Sequence, residues 1–142
     1  FRSTTVRETL IQLTPWLLSK GLELVFDVED GPYPVNTDAA AINIALTNLV
    51  TNAANFSPDQ GVITVGLRKN AERFALTVDD QGPGIDETER ERLFERFYSR
   101  GNAHGAGLGL TIVQTIAQRL GGQVRLENLA TGGLRATLEI PG

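Results

Sequence analysis

The chain has 142 residues, of which 41% are hydrophobic and 21% are charged, a balance typical of one compact folded domain rather than a disordered or fibrous chain. With no cysteine and a single histidine, it excludes a disulfide framework, a thiol nucleophile and a zinc-ligand cluster. The 13 basic and 17 acidic residues give a net charge of −4, which offers no general attraction to nucleic acid or anionic lipid. No apolar run approaches the roughly 20 residues that a membrane-spanning helix requires. Because the sequence opens at Phe1 and contains no methionine, we expect it to be one domain of a longer protein.

The first part of the chain predicts a helix followed by a strand. Thr4 and Thr5 are the candidate N-caps of the helix. Its apolar residues recur at helical spacing, at Val6, Leu10, Leu13 and Leu17. Pro15 predicts a kink in this helix, and Gly21 predicts its end. Apolar and polar residues then alternate over residues 22–29, which predicts a strand with one buried face.

The middle of the chain predicts a second helix and a hairpin. The helix begins near Asp38 and is closed by Ser57 and Pro58. Two apolar segments over residues 62–68 and 73–80, separated by a short polar connection, predict a pair of strands.

The last part of the chain predicts two more helices and two more strands. A short helix over residues 87–97 and a glycine-rich loop over 101–109 precede a longer helix that stops at Gly121. Strands over residues 123–129 and 134–140 complete the chain. Helices and mixed strands in this order predict an α+β fold, a two-layer α/β sandwich in which the helices cover one face of the sheet.

The second helix carries an unusual polar stripe. Asn48, Asn52 and Asn55 are spaced so that they share one face of the helix, although asparagine is only a middling helix former whose side chain competes for backbone hydrogen bonds. The apolar residues centre on another face: Ile42, Leu46, Leu49, Val50 and Ala53. Taken alone, the stripe is either an ordinary solvated face or a surface that binds a polar ligand.

A second candidate lies where the second strand of the hairpin ends, in DDQGPGI at 79–85. Gly82 and Gly84, at alternate positions, let the backbone approach a ligand closely, and Asp80 can accept a hydrogen bond there. The alternative is an ordinary strand-ending turn.

A third candidate is GAGLGL at 105–110, directly before the last long helix. A helix N-terminus directs free N–H groups toward a phosphate chain, although the segment could equally be a flexible connector. Together the three candidates supply what a Mg²⁺-nucleotide needs: amide oxygens for a hard cation, a carboxylate acceptor for a base and backbone donors for phosphates.

Four segments, in their order and spacing, resemble the motifs of the ATP-binding catalytic domain of bacterial sensor histidine kinases. NLVTNAANFSP at 48–58 looks like the N box, DDQGPGI at 79–85 the G1 box, LFERFY at 93–98 the F box and GAGLGL at 105–110 the G2 box. These kinases are a branch of the GHKL superfamily, which also contains gyrase, heat-shock chaperone and mismatch-repair ATPases. The resemblance spans essentially the whole chain.

The resemblance implies a five-stranded mixed sheet covered by three helices, with ATP and Mg²⁺ held under a mobile lid between the F and G2 boxes. It implies that residues 1–5 are a linker stub and that residues 6–142 are the catalytic domain. The implied partners are the protein's own dimerisation and phosphoacceptor domain and a response regulator, with no nucleic acid. The full-length protein would be a homodimer anchored in the bacterial inner membrane, with this domain in the cytoplasm.

By position, the resemblance implies that Asn52 holds Mg²⁺ and that Asn48, on the same stripe, is catalytic. Asp80 would accept a hydrogen bond from the adenine amino group, and Phe56 would pack against the adenine.

Two positions depart from the family pattern. Asn55 stands where the N box usually has a basic residue, and Ser99 stands where an arginine follows the F box. Arg100 is therefore the catalytic candidate for contacting the phosphates, with Arg96 as the alternative. The other implied nucleotide-binding residues, besides Asn55, are Gly82, Gly84, Ile85, Gly105, Gly107, Leu108, Gly109, Leu110 and Thr137.

The residue type at position 48 separates two kinds of activity. Hydrolytic relatives place a glutamate four residues before the Mg²⁺ asparagine to activate water, whereas Asn48 carries an amide that cannot take a proton near neutral pH. We therefore expect a protein histidine kinase that keeps the γ-phosphoryl group for a histidine on another domain. His104, in the lid, is expected to be a surface residue rather than the acceptor. The alternatives are a non-catalytic nucleotide-binding module, in which Asn55 and Ser99 mark lost phosphate contacts, and, less favoured, a GHKL ATPase.

Overall fold

A computed structural model of the chain describes residues 3–28, 38–58, 60–70, 73–86, 88 and 109–141. The helices in these ranges are α1 (Ser3–Ser19), α2 (Ala39–Phe56) and α3 (Gly109–Arg119). The strands are β1 (Glu23–Val28), β2 (Val62–Asn70), β3 (Arg73–Asp79), β4 (Gln123–Asn128) and β5 (Leu134–Pro141). Nearly all of the predicted helix over 87–97 and of the glycine-rich loop over 101–109 lies outside the described residues.

The five strands form one mixed sheet in the order β1-β2-β3-β5-β4. β1 pairs parallel to β2, and α2 is the crossover between them. The other neighbours are antiparallel, and β2 and β3 form the predicted hairpin. This architecture confirms the predicted two-layer α+β fold with a five-stranded mixed sheet and three helices.

One face of the sheet and the three helices enclose the hydrophobic core. Side chains of a strand alternate between its two faces, so on the central strands β3 and β5 every second residue is buried against the helices. On β3 and β5 these are Phe74, Leu76, Val78, Leu134, Ala136, Leu138 and Ile140. The apolar face predicted for α2 is buried as expected, at Ile42, Leu46, Leu49, Val50 and Ala53. No helix in the described ranges combines the length and apolar character needed to cross a bilayer.

The opposite face of the sheet carries charged side chains that pair across neighbouring strands. Arg135 on β5 donates from Nε and Nη2 to the two carboxylate oxygens of Asp79 on β3, at 2.8 and 2.9 Å. This contact raises the pKa of the Arg135 guanidinium above its ordinary value. Glu139 accepts hydrogen bonds from Arg73 at 3.1 Å and from Arg125 at 3.2 Å. Cross-strand ion pairs of this kind give the charged side chains partners on the face of the sheet that none of α1, α2 and α3 covers.

The observed ends of α1 and α2 match most of the capping residues predicted from the sequence. Gly21 ends α1 at φ +74°, where its N–H donates to the carbonyl of Leu18 at 3.0 Å, as a C-terminal glycine cap requires. α1 begins at Ser3, so the prediction that Thr4 or Thr5 is its N-cap is wrong, and the helix continues through Pro15. Asp38 is the N-cap of α2 and accepts hydrogen bonds from the backbone N–H groups of residues 40 and 41.

Replacing Asp38 by alanine is expected to lower the free energy of unfolding by about 1 kcal/mol, because the first turn of α2 loses its side-chain acceptor. Urea denaturation measures this change. Asp38→Asn is the matched control, since its amide oxygen can accept the same hydrogen bonds. An equal loss in both variants would contradict the capping role.

Candidate functional site

The asparagine stripe lies on a half-buried face of α2. Asn48, Asn52 and Asn55 are each partly exposed, between the buried core positions of the helix. Asn48 donates from Nδ2 to the carbonyl of Ile44 at 2.8 Å. Within the described residues, the side chains of Asn52 and Asn55 make no hydrogen bond. Their amide oxygens suit a hard cation such as Mg²⁺, so the donor chemistry of Asn52 fits its predicted role.

Asp80 is a buried carboxylate at the end of β3, only 3% exposed. Its Oδ1 accepts hydrogen bonds from the backbone N–H of Gly82 at 2.9 Å and of Leu134 at 3.1 Å. The N–H of Asp80 donates to the carbonyl of Leu134 at 3.0 Å. Charge-assisted bonds of this type compensate a carboxylate for lost hydration. Asp80 is therefore held in a fixed orientation between β3 and β5.

The segment after Asp80 reaches the C-terminal end of α2. A Cβ atom at Gly82 would lie 2.3 Å from the carbonyl oxygen of Phe56, closer than any side chain allows. Glycine at this position thus lets the two backbones touch. Asn52 lies one turn before Phe56, roughly 6 Å along the helix axis. The fold therefore places Asp80 and Gly82 beside the C-terminal end of α2. This end carries Phe56, and Asn52 lies one turn earlier in the helix.

The far end of the same segment is held by a residue that the sequence did not single out. Ile85 is 6% exposed, and its backbone N–H donates to Asn128 Oδ1 at 2.9 Å. Asn128 Nδ2 in turn donates to the Ile85 carbonyl at 2.8 Å. Gly84 has φ +76° and faces Asn128, whose Oδ1 would lie 2.5 Å from a Cβ atom there. An asparagine ending a strand is too common to have been recognised in advance.

The turn between β4 and β5 contributes a second unanticipated residue, Gly133. A Cβ atom at this position would lie 2.0 Å from the carbonyl oxygen of Asp80. The sequence identified Gly133 only as part of a turn. Its absent side chain lets that turn pack directly on the Asp80 backbone.

The G2 box is only partly described. α3 starts at Gly109 and packs against α2, and Leu110 is 4% exposed within the core. The side chain of Leu110 thus packs in the hydrophobic core. Arg100, Gly105, Gly107 and Leu108 lie outside the described residues, as do the F box and the proposed lid.

Thr137 is not brought to this group. It pairs with Thr77 in the middle of β3 and is 4% exposed. Ala136 and its cross-strand partner Val78 face the core, and Asp80, two residues after Val78, lies on the same side. Because strand side chains alternate, Thr137 points to the opposite face of the sheet. The resemblance implies that Thr137 binds nucleotide, but its side chain does not share a face with Asp80, which on β5 contacts the backbone of Leu134.

Comparison with known proteins identifies what this arrangement is similar to. The model of the family described as "Histidine kinase-, DNA gyrase B-, and HSP90-like ATPase" matches residues 37–142. A curated relative, the signal transduction histidine-protein kinase/phosphatase MprB of Mycolicibacterium vanbaalenii, is 42% identical over 115 residues, which cover 78% of this chain and 24% of the relative. The chain thus spans about a quarter of the length of such a relative. These matches confirm the resemblance inferred from the four motifs.

Solved structures with the same fold include histidine kinase domains. The nucleotide-free catalytic domain of histidine kinase ThkA superimposes with a TM-score of 0.90 and 26% identity, covering 99% of this chain and 93% of that one. Full-length ShkA in complex with AMPPNP superimposes with a TM-score of 0.86 and 27% identity, covering 97% of this chain and 29% of that one.

Two adjacent glycines test how the β4–β5 turn supports Asp80. Gly132 and Gly133 have φ values of +100° and +103°, but of these two positions only Gly133 has other backbone within 4 Å of where a Cβ atom would lie. We expect Gly132→Ala to cost about 1–2 kcal/mol through its backbone conformation alone. Gly133→Ala is expected to cost at least about twice that, because Asp80 must also move. Thermal and urea unfolding measure both, and equal losses would contradict the packing of this turn on Asp80.

Proposed function

Because the chain belongs to the family of histidine kinase-, DNA gyrase B- and HSP90-like ATPases, we propose that it binds Mg²⁺-ATP and transfers the γ-phosphoryl group to a histidine on a separate phosphoacceptor domain. The observation that carries the proposal is the contact between two of the predicted motifs. A buried carboxylate, Asp80, lies two residues from Gly82, whose backbone touches the end of the asparagine-bearing helix at Phe56. The AMPPNP complex of ShkA, a structural neighbour, supports ATP as the nucleotide.

Each of these groups has a chemical role in the proposal. Asp80 accepts a hydrogen bond from the adenine amino group, while Phe56 packs against the ring. Asn52 contributes an amide oxygen to Mg²⁺, which when bound neutralises charge on the β- and γ-phosphates. Arg100 and the backbone of the G2 box contact the phosphates. Asn48 assists from the same face of α2.

The proposed transfer needs no strong base on this domain. An unprotonated imidazole nitrogen forms a bond to the γ-phosphorus while the bond from that phosphorus to the bridging oxygen breaks, and ADP leaves. No proton has to be removed from the attacking nitrogen. Asn48 fits this reaction, because its amide cannot activate water as a carboxylate would.

We also propose the setting in which the reaction takes place. The acceptor histidine belongs to the protein's own dimerisation domain, and a response regulator receives the phosphoryl group. The full-length protein is a membrane-anchored homodimer with this domain in the cytoplasm. The basis for this setting is the family membership and the name of the relative MprB, a signal transduction histidine-protein kinase/phosphatase.

A non-catalytic nucleotide-binding module is the second candidate, favoured by one observation. Asn55 occupies the N-box position where the family usually has a cation, and it is partly exposed on the stripe of α2. A domain that had lost this phosphate contact would bind nucleotide and change conformation without transferring phosphate.

Phosphotransfer in trans separates the candidates. The chain is mixed with Mg²⁺, ATP labelled at the γ-phosphate and the histidine-bearing helical hairpin of the same full-length protein. We expect label on the hairpin, and none after its histidine is replaced by glutamine. Nucleotide binding without transfer would favour the non-catalytic module, and steady phosphate release by the chain alone would identify an ATPase.

Asp80→Asn is expected to weaken ATP binding by about 1–3 kcal/mol and to reduce the preference for ATP over GTP. The amide oxygen still accepts the N–H groups of Gly82 and Leu134, while the amide nitrogen cannot accept from the adenine amino group. Calorimetric titration with both nucleotides measures the change. An unchanged base preference would count against the role of Asp80.

Asn52→Ala is expected to weaken ATP binding in the presence of Mg²⁺ and to have a smaller effect when Mg²⁺ is chelated. Asn43→Ala, on the same helix, is the matched control, since its amide oxygen accepts a hydrogen bond from Thr9 Oγ1 at 2.9 Å. Calorimetric titration with and without Mg²⁺ measures both variants. Equal losses for Asn52→Ala in both conditions would contradict metal ligation.

A further inference from the structure

Residues 80–85 are held at both ends by one cross-strand pair. Asn128 and Leu134 are register partners at the end of the β4–β5 ladder. The backbone of Leu134 exchanges hydrogen bonds with Asp80 at the start of the segment. The side chain of Asn128 holds Ile85 at its end. A single point of the sheet therefore fixes the two ends of the segment relative to each other.

The Asn128 contact fixes orientation as well as position. Its amide meets the N–H and the carbonyl of one residue, Ile85, at 2.9 and 2.8 Å. Two hydrogen bonds to one residue restrict rotation that a single bond would permit. Asn128 as a whole is exposed, whereas Ile85 is buried. Asn128 thus contributes mainly through these two hydrogen bonds rather than through apolar burial.

The conformation of the intervening glycines makes such a restraint useful. Gly84 adopts φ +76°, and glycine reaches many other conformations with equal ease. If the segment were unrestrained, the entropy cost of ordering it would fall on ligand binding. A segment already ordered by the fold binds more tightly with the same contacts.

We propose that Asn128 is a positioning residue of the nucleotide site, which holds residues 82–85 in the conformation that lets their backbone approach the base. Asn128 acts through Ile85 and Gly84 and does not itself contact the nucleotide. This inference rests on the proposed function of ATP binding. Its effect is confined to the base, so it alters the preference between purines.

The test compares ATP and GTP binding to Asn128→Ala and to the unchanged chain by calorimetric titration with Mg²⁺ present. We expect ATP affinity to fall about three- to tenfold, as the loss of two partly exposed hydrogen bonds allows, and GTP affinity to fall less. Asn128→Asp keeps an acceptor for the Ile85 N–H but sets a carboxylate oxygen against the Ile85 carbonyl in place of the donor, so its loss should be at least as large as that of Asn128→Ala. If Asn128→Ala does not fold, the ATP and GTP affinities of Asn128→Asp are compared with those of the unchanged chain instead.

A residue that only stabilises the fold would lower the melting temperature without nucleotide and leave both affinities of the folded chain unchanged. Asn43→Ala controls for the loss of an asparagine hydrogen bond elsewhere and is expected to keep the ATP to GTP ratio. An unchanged ratio and affinity in the Asn128 variants, with ATP binding intact in the unchanged chain, would overturn the inference alone. No ATP binding by the unchanged chain would overturn the proposed function and this inference with it.

Discussion

The candidate site depends on how the fold accommodates one buried carboxylate, that of Asp80. Its Oδ1 accepts N–H groups from Gly82, two residues ahead, and from Leu134 on the neighbouring strand, so the chain turns as soon as β3 ends and stays attached to β5. A carboxylate can be buried only where such bonds replace its hydration. The same turn carries Gly82 onto the carbonyl of Phe56. The Asp80 side chain thus joins the sheet to the loop whose Gly82 contacts α2. The predicted acceptor for the base therefore also holds the site together.

The sequence predicted those features that repeat or that follow from local chemistry. The apolar periodicity of α2 identified its buried face, and asparagines at helical spacing were correctly excluded from that face. Asp38 marked the helix start and Gly21 a helix end, because each supplies a local interaction that does not depend on the rest of the fold. The family motifs then supplied the topology, which periodicity alone leaves undetermined.

The features that were missed depend on which strands become neighbours. Asn128 and Gly133 matter because β4 and β5 place them against the segment after β3, and neither has a local signature that differs from an ordinary strand end or turn. The family resemblance assigned Thr137 to the nucleotide site, yet the alternation of strand side chains places it on the face of the sheet opposite Asp80. A shift of one residue in register reverses such an assignment, and composition carries no information about register.

The crossover through α2 also affects how the chain reaches this fold. The β2–β3 and β4–β5 pairs each close a short connection, whereas β1 must find β2 across the whole of α2. Closing the longer loop costs more chain entropy, so parallel pairing of this kind forms late. Until β1 docks, the apolar strand β2 presents an unpaired edge in the refolding chain. An unpaired apolar edge of this kind can pair with another incompletely folded copy, so we expect docking of β1 to protect the refolding chain from aggregation.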